Sequence, residues 1–291
     1  MDAAAAVVEG VFAGYNATLQ IQVSSSNENS DTLASASSAF LSSDSVGFAN
    51  RGIVGTKILS NGLTDGNGAT ADGTVDVNFF HTWDFDDDVA ANAQDFKSTM
   101  IHELVHAVGF GATIAQNGQD PWGTNPGNEG LWAPYDEFIA DSHGSLIGAD
   151  AILDGARWNT ASVGGTGATP AANGLYFIGP IAMAAFGGPV PLYSPTSFES
   201  GSSVHHLDDH FFNGTNGNEQ QIMNATAFNG PGLRTLSSIE LGVLRDIGFT
   251  AVPEPSHYVM AFSLALLALL ALLALVAMRW RRSIPTTPVS I

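Results

Sequence analysis

The sequence predicts an α+β domain over residues 1–250, followed by one C-terminal membrane-spanning helix. Three observations predict it. Strand-like stretches bounded by turn residues occupy the first 80 residues. Helical periodicity begins at Asp95 and returns near the end of the domain. An uncharged apolar run, Tyr258 to Met278, follows close to the C-terminus. About 250 residues suit one large domain or two subdomains around a cleft.

The first half reads as β. "ATLQIQVSSS" (17–26) alternates as a half-buried strand does. "GIVGTKILSNG" (52–62) and "GTVDVNFF" (73–80) read as strands between turn residues, with "TDGNGATADG" as the loop joining them. From Asp95 the period changes. Ile101, Leu104, Val105 and Val108 make one helical face, and Gly109 is a natural stop. Residues 112–200 carry weaker signals: short helices are expected in "PYDEFIADSHGSLIGADAIL", and "GGTGATPAANG" reads as a loop. In "LRTLSSIELGVLRDIGF" (233–249) Ser237 and Glu240 match a capping box, Ile239, Val243, Leu244 and Ile247 supply the apolar face, and Gly248 ends the helix. Gly242 sits inside that pattern against helix propensity.

Composition narrows the chemistry. The chain has 28 acidic residues against 9 basic ones, and three of the nine (Arg279, Arg281, Arg282) follow the apolar run. A domain that acidic is a poor partner for nucleic acid, whose phosphates need a basic face. It is compatible with a secreted protein and with Ca²⁺ sites, although most of the charge reads as a solvated surface. "WDFDDD" places Asp84, Asp86 and Asp88 at the alternating positions that open many Ca²⁺ loops. The glycine and distal glutamate of such loops are missing, so a solvated acidic loop is expected. The chain has no cysteine, so zinc ligands would have to be His or carboxylate.

The stretch with the most chemical content is "MIHELVHAVGF" (100–110). His102 and His106 are one helical turn apart and share a face. Two imidazoles so placed can bind one Zn²⁺, which lowers the pKa of a bound water to about 7. Glu103, beside the first histidine, is placed to act as general base toward that water. A catalytic zinc needs a third protein ligand, and this stretch has none. Read from the residues, the candidates are His205, His206 and His210, or a carboxylate downstream, Glu129, Asp136 or Glu137, as in the thermolysin-like arrangement. His81 and His143 read as loop or surface residues, and His257 lies beside the apolar run.

"HELVHAVGF" resembles the motif of the metzincin metallopeptidases, matching at His102, Glu103, His106 and Gly109. The usual third-ligand position, three residues after the glycine, is here Ala112, which cannot bind metal. The chain is more similar to the leishmanolysin-like branch, where a long insertion separates the glycine from the third histidine. In "GSSVHHLDD" the resemblance implies His206 as third ligand, with His205 as the alternative where that branch usually has serine. In "QIMNATAF" it implies Met223 as the Met-turn, an apolar floor under the metal. The resemblance further implies an N-terminal mixed β-sheet with the active-site helix, and a C-terminal subdomain with the Met-turn and a closing helix.

The C-terminus divides into a Pro-Glu-Pro linker (251–257), the apolar helix (258–278) and an Arg-rich tail (279–291). A helix of 21 residues spans roughly 30 Å, about a bilayer core, and the arginines after it place the tail on the cytoplasmic side. The three parts in this order resemble the PEP-CTERM sorting signal of Gram-negative bacteria. That implies processing by an exosortase-type enzyme and delivery to the cell surface or extracellular matrix. Such a signal goes with a leader peptide. Residues 1–16 lack the leader pattern, so one is expected upstream, or export by another route. The function expected is a zinc-dependent endopeptidase acting on protein or peptide substrates, with a strand within 73–80 aligning the substrate. The alternative is a non-catalytic matrix or adhesion protein on the same fold.

Overall fold

A computed structural model describes residues 1–41, 45–165, 173–215 and 217–249. Its elements begin with α1 (Asp2–Val11), β1 (Ile21–Ser26), β2 (Ala34–Ser38), β3 (Gly47–Phe48), α2 (Ile53–Leu59) and β4 (Gly73–Asn78). They continue through β5 (Trp83–Asp84), β6 (Gln94–Asp95), α3 (Phe96–Val108), β7 (Leu131–Trp132), β8 (Ile139–Asp141) and β9 (Gly144–Ser145). The last are α4 (Gly155–Ala161), β10 (Leu175–Phe177), α5 (Pro180–Phe186), β11 (Val190–Leu192) and α6 (Ser238–Asp246). The class is α+β, as expected. The sorting motif, the apolar helix and the Arg-rich tail lie outside the described residues. Among the described residues no helix is long and apolar enough to cross a membrane.

The first sheet has the order β1-β4-β2, with β1 parallel and β2 antiparallel to β4. Val75 and Val77 of β4 are buried, as are Met100, Ile101 and Val105 of α3, and all belong to one core. Being central, β4 has no free edge, so the expectation that residues 73–80 align a substrate is corrected: the free edge near α3 belongs to β2.

Two further expectations change in this half. Residues 2–11 form α1, in which Ala4, Val8 and the following Phe12 recur every four residues and are buried. Phe12 packs edge-on to Phe249 at 5.2 Å, joining the chain's start to the end of the described domain. Residues 53–59 form α2 and not the expected strand. The β-branched run favours a strand locally, but a helix puts Ile53, Val54, Lys57 and Ile58 on one buried face. Lys57 can be buried there because its ammonium sits 3.2 Å from both oxygens of the buried Asp72 and 3.0 Å from Asp65.

The second half is built on small sheets, the largest in the order β11-β10-β8-β9. Where short helices were expected after Pro134, one 3₁₀ turn (Asp136–Phe138) leads into the β8–β9 hairpin. The closing helix α6 forms with its capping box complete. Ser237 Oγ accepts from Glu240 N at 3.2 Å, and Ser237 N donates to Glu240 Oε2 at 2.6 Å. Gly242 has a packing reason: a Cβ there would lie 2.7 Å from Ala182 Cα on α5. Asp246 completes this pairing by accepting from Ile181 N and Ala182 N at the start of α5, each at 2.9 Å.

Helix propensity alone would make Gly242→Ala stabilising by about 1 kcal/mol. The contact with α5 reverses the sign: the variant loses about 1–3 kcal/mol, the usual cost of overpacking, measured as a lower urea midpoint at unchanged m-value.

Candidate metal centre

Helix α3 begins at Asp95, whose Oδ1 accepts from Ser98 N at 3.0 Å. The same carboxylate holds Arg234 Nε at 2.9 Å and Gly232 N at 3.0 Å, so the helix start is tied to the loop before α6. With Met100, Ile101, Leu104 and Val105 in the core, helical geometry turns His102, Glu103 and His106 together toward a cleft of about 1090 Å³.

The chain after α3 turns sharply. Gly109 has φ +123°, a conformation that favours glycine, and the turn returns the Phe110 carbonyl to His106 Nδ1 at 2.7 Å. Gly111, at φ +142°, passes beside two imidazoles. A Cβ on it would meet His205 Nδ1 at 3.0 Å and His106 Nδ1 at 3.6 Å.

About 100 residues later the segment 199–206 supplies the third histidine. Ser202 N and Ser203 N turn back onto Glu199 O, and Val204 takes a left-handed φ of +69° while wholly buried. That conformation costs a β-branched residue of order 1–3 kcal/mol. It is held by Val204 N on Tyr193 O at 2.7 Å and by Tyr193 N on His206 O at 3.0 Å. His206 Nδ1 meets Ser202 O at 2.8 Å, and His102 Nδ1 meets Ile222 O at 2.7 Å.

With their outer nitrogens so held, the three Nε2 atoms converge. His102 and His106 are 2.9 Å apart, His106 and His206 3.0 Å, and His102 and His206 3.1 Å. Nitrogens around a tetrahedral zinc at about 2.0–2.1 Å stand about 3.3 Å apart, so this triangle is close to the right size. An Nδ1–H on each backbone carbonyl fixes the tautomer that leaves Nε2 free for metal. Burial lowers the pKa of all three, with mutual charge effects adding for His106 and His206, so they stay neutral as ligands must. The residues fit a zinc ion.

Glu103 is buried and lines the cleft, and no described residue hydrogen-bonds its carboxylate. Burial pushes its carboxyl up to about 8; a divalent cation nearby acts in the opposite direction. Met223, the residue after the Ile222 carbonyl that holds His102, is fully buried. Its amide donates to Glu240 Oε1 at 2.7 Å, so the capping residue of α6 also fixes the turn at Ile222 and Met223.

The other candidates lie elsewhere. His205 lines the cleft beside the cluster, and burial lowers its pKa to about 4, but its nitrogens do not join the other three. Glu129 and Glu137 are exposed. Asp136 is buried and committed to Thr113 N at 2.8 Å, Ala133 N at 2.9 Å and the Thr113 hydroxyl; burial raises its carboxyl to about 6. Its role is to tie the loop after α3 to the 3₁₀ turn. His210 groups with Asp208 and Asp209 away from the triad. Of the two histidines expected in loops or on the surface, His143 is exposed, and His81, in the loop between β4 and β5, lines the cleft with a buried Nε2. In the acidic loop, Asp84 accepts from Asp86 N and Ala90 N, and Asp87 pairs with Arg234 and Lys97, so these carboxylates hold the loop and the α6 approach. Sequence reasoning missed Gly111 and the second task of Glu240. The only advance signal for the latter was the capping box itself.

No protein-family model, curated protein or solved structure matches the chain.

His206→Ala is expected to weaken zinc binding by more than about 100-fold, beyond the loss typical of an outer-shell partner, while His205→Ala leaves it unchanged. Metal content after equilibrium dialysis decides it: loss in His205→Ala alone would move the third ligand to His205. Glu240→Ala leaves the Met223 and Ser237 amides without their acceptor in a buried site and lowers stability by roughly 2 kcal/mol or more, read by chemical denaturation.

Proposed function

We propose that this chain is a zinc-dependent endopeptidase of the metzincin type, similar to the leishmanolysin-like branch, exported to the bacterial surface or matrix. The observation that carries the reading is the triangle of His102, His106 and His206 Nε2 atoms beside a carboxylate, Glu103, that no described residue hydrogen-bonds. When bound, zinc supplies a Lewis acid and lowers the pKa of a water to about 7.

The chain's own residues do the rest. Glu103 takes the proton of the attacking water and delivers it to the leaving amine as the peptide bond breaks. Its position one residue after His102 on a rigid helix keeps it against the reacting atoms. Met223 keeps the floor apolar, and the carbonyls of Phe110, Ser202 and Ile222 orient the imidazoles. The substrate lies extended along β2, whose residues Ala34–Ser38 all line the cleft. An edge strand offers unpaired amides and carbonyls to a peptide backbone. Export and tail processing by an exosortase-type enzyme, and anchoring by residues 258–278, belong to the same reading and are supported by the Pro-Glu-Pro, apolar and arginine segments.

Glu103→Ala should abolish casein or gelatin cleavage, with a fall of at least about 10²–10⁴-fold, the range of general acid–base catalysis. Zinc should stay near one per chain. Unchanged cleavage would sink the mechanism.

A further inference from the structure

We propose that His205 is a further catalytic residue: its Nε2–H donates to the carbonyl oxygen of the scissile bond as that oxygen becomes an oxyanion. The inference rests on the peptidase reading and adds a residue to its reaction.

The first observation is how the cleft histidines are engaged. His81, His102, His106, His205 and His206 line the cleft. Three of them form the cluster, and each of those spends its Nδ1 on a backbone carbonyl. His81 lies in the loop between β4 and β5, edge-on to Phe80 at 6.0 Å. His205 is half-buried, and its ring hydrogen-bonds no described residue. In either protonation state an imidazole keeps at least one N–H. His205 therefore brings to the cleft a donor that the fold does not use.

The second observation is its placement. A Cβ on Gly111 would lie 3.0 Å from His205 Nδ1, 3.6 Å from His205 Cα and 3.6 Å from His106 Nδ1. Only a glycine lets the loop after α3 pass so close, and its backbone abuts the ring at Nδ1. That leaves Nε2 for the substrate. His205 thus adjoins two of the clustered histidines, His106 across Gly111 and His206 along the chain. Its own backbone is held by His205 N on Ser202 O at 3.3 Å. Glu103 comes from α3 and His205 from the segment 199–206, so base and donor are positioned by different elements.

The third observation is the scarcity of other strong donors. Among the described residues that line the cleft there is no tyrosine and no lysine. Its arginine, Arg51, is 2% exposed and held by the carbonyls of Ser45, Gly47 and Trp132. Hydrolysis turns a neutral carbonyl oxygen into an oxyanion, and a donor already in place stabilises that charge without reorganising. The water oxygen bonds to the carbonyl carbon while its proton passes to Glu103. The π pair of the carbonyl moves onto its oxygen, and the His205 N–H holds that charge without giving up its proton. The pair returns as the C–N bond breaks, and the amine leaves with the proton from Glu103.

The test uses the full chain loaded with zinc and compares wild type, His205→Leu and His205→Gln. Zinc content and urea midpoint should match the wild type in both variants. His205→Leu should lower kcat about 10²–10³-fold, the loss on removing one oxyanion donor, with KM changed by less than about threefold. A labelled peptide phosphinate, tetrahedral at phosphorus like the intermediate, should bind His205→Leu more weakly by about the same factor as kcat falls. Fluorescence anisotropy reads that loss without turnover. His205→Gln, whose amide N–H lies near the place of Nε2, should recover about tenfold of both losses, roughly one hydrogen bond. If the wild type cuts peptide and His205→Leu cuts it and binds the phosphinate equally well, the role of His205 is wrong while the peptidase reading stands. Loss of zinc in His205→Leu, or His205→Gln no better than His205→Leu, would overturn the donor role in favour of a structural one. If the wild type cuts no peptide, the peptidase reading falls and the role of His205 falls with it.

Discussion

Each of the three clustered imidazoles is held by its outer nitrogen on a backbone carbonyl, and the carbonyls come from three separate parts of the chain. Phe110 O lies just past the end of α3, Ser202 O in the turn before His206, and Ile222 O beside the buried methionine. A side-chain partner could rotate away; a carbonyl moves only if its segment moves. The site therefore depends on the backbone of those segments, and much of the surrounding structure serves to hold them. Asp136 ties down the loop after Phe110, the strand-like contacts of Tyr193 and Met223 hold the segment on either side of His206, and Glu240 holds the turn at Ile222 and Met223.

These supports are themselves buried and polar, so their own satisfaction matters. Glu240 is wholly buried, and burial raises its carboxyl, yet it accepts from both Ser237 N and Met223 N. Those amides offset the desolvation of the carboxylate. Val204 shows the opposite balance. Its left-handed backbone is unfavourable locally and is retained because the bonds to Tyr193 depend on it. Strain at that point brings His206 to face a helix 100 residues away.

What could be read beforehand was local in origin. The pair His102 and His106 with Glu103 is a matter of helical period, and so is the apolar face that buries α3. The capping box at Ser237 and Glu240 was legible because both partners lie within one turn. Local reading failed where a distant partner overruled it. The stretch 53–59 looks like a strand until Asp72 is available to bury Lys57. β4 looks like a substrate-facing strand until β1 and β2 occupy both its edges. Gly242 looks like a weakness in α6 until α5 packs against it.

From the sequence alone came the chemistry of the site: two imidazoles and a carboxylate on one helix, no cysteine, and a glycine where the chain must turn. These follow from residue type and a spacing of a few positions. The choice of His206 over its neighbour His205 is different. The two are adjacent in sequence and alike in chemistry, and they part only because the bonds at Tyr193, Ser202 and Met223 turn one imidazole into the triangle and leave the other beside Gly111. That selection belongs to the tertiary structure, because it is made by contacts between segments that no local pattern connects.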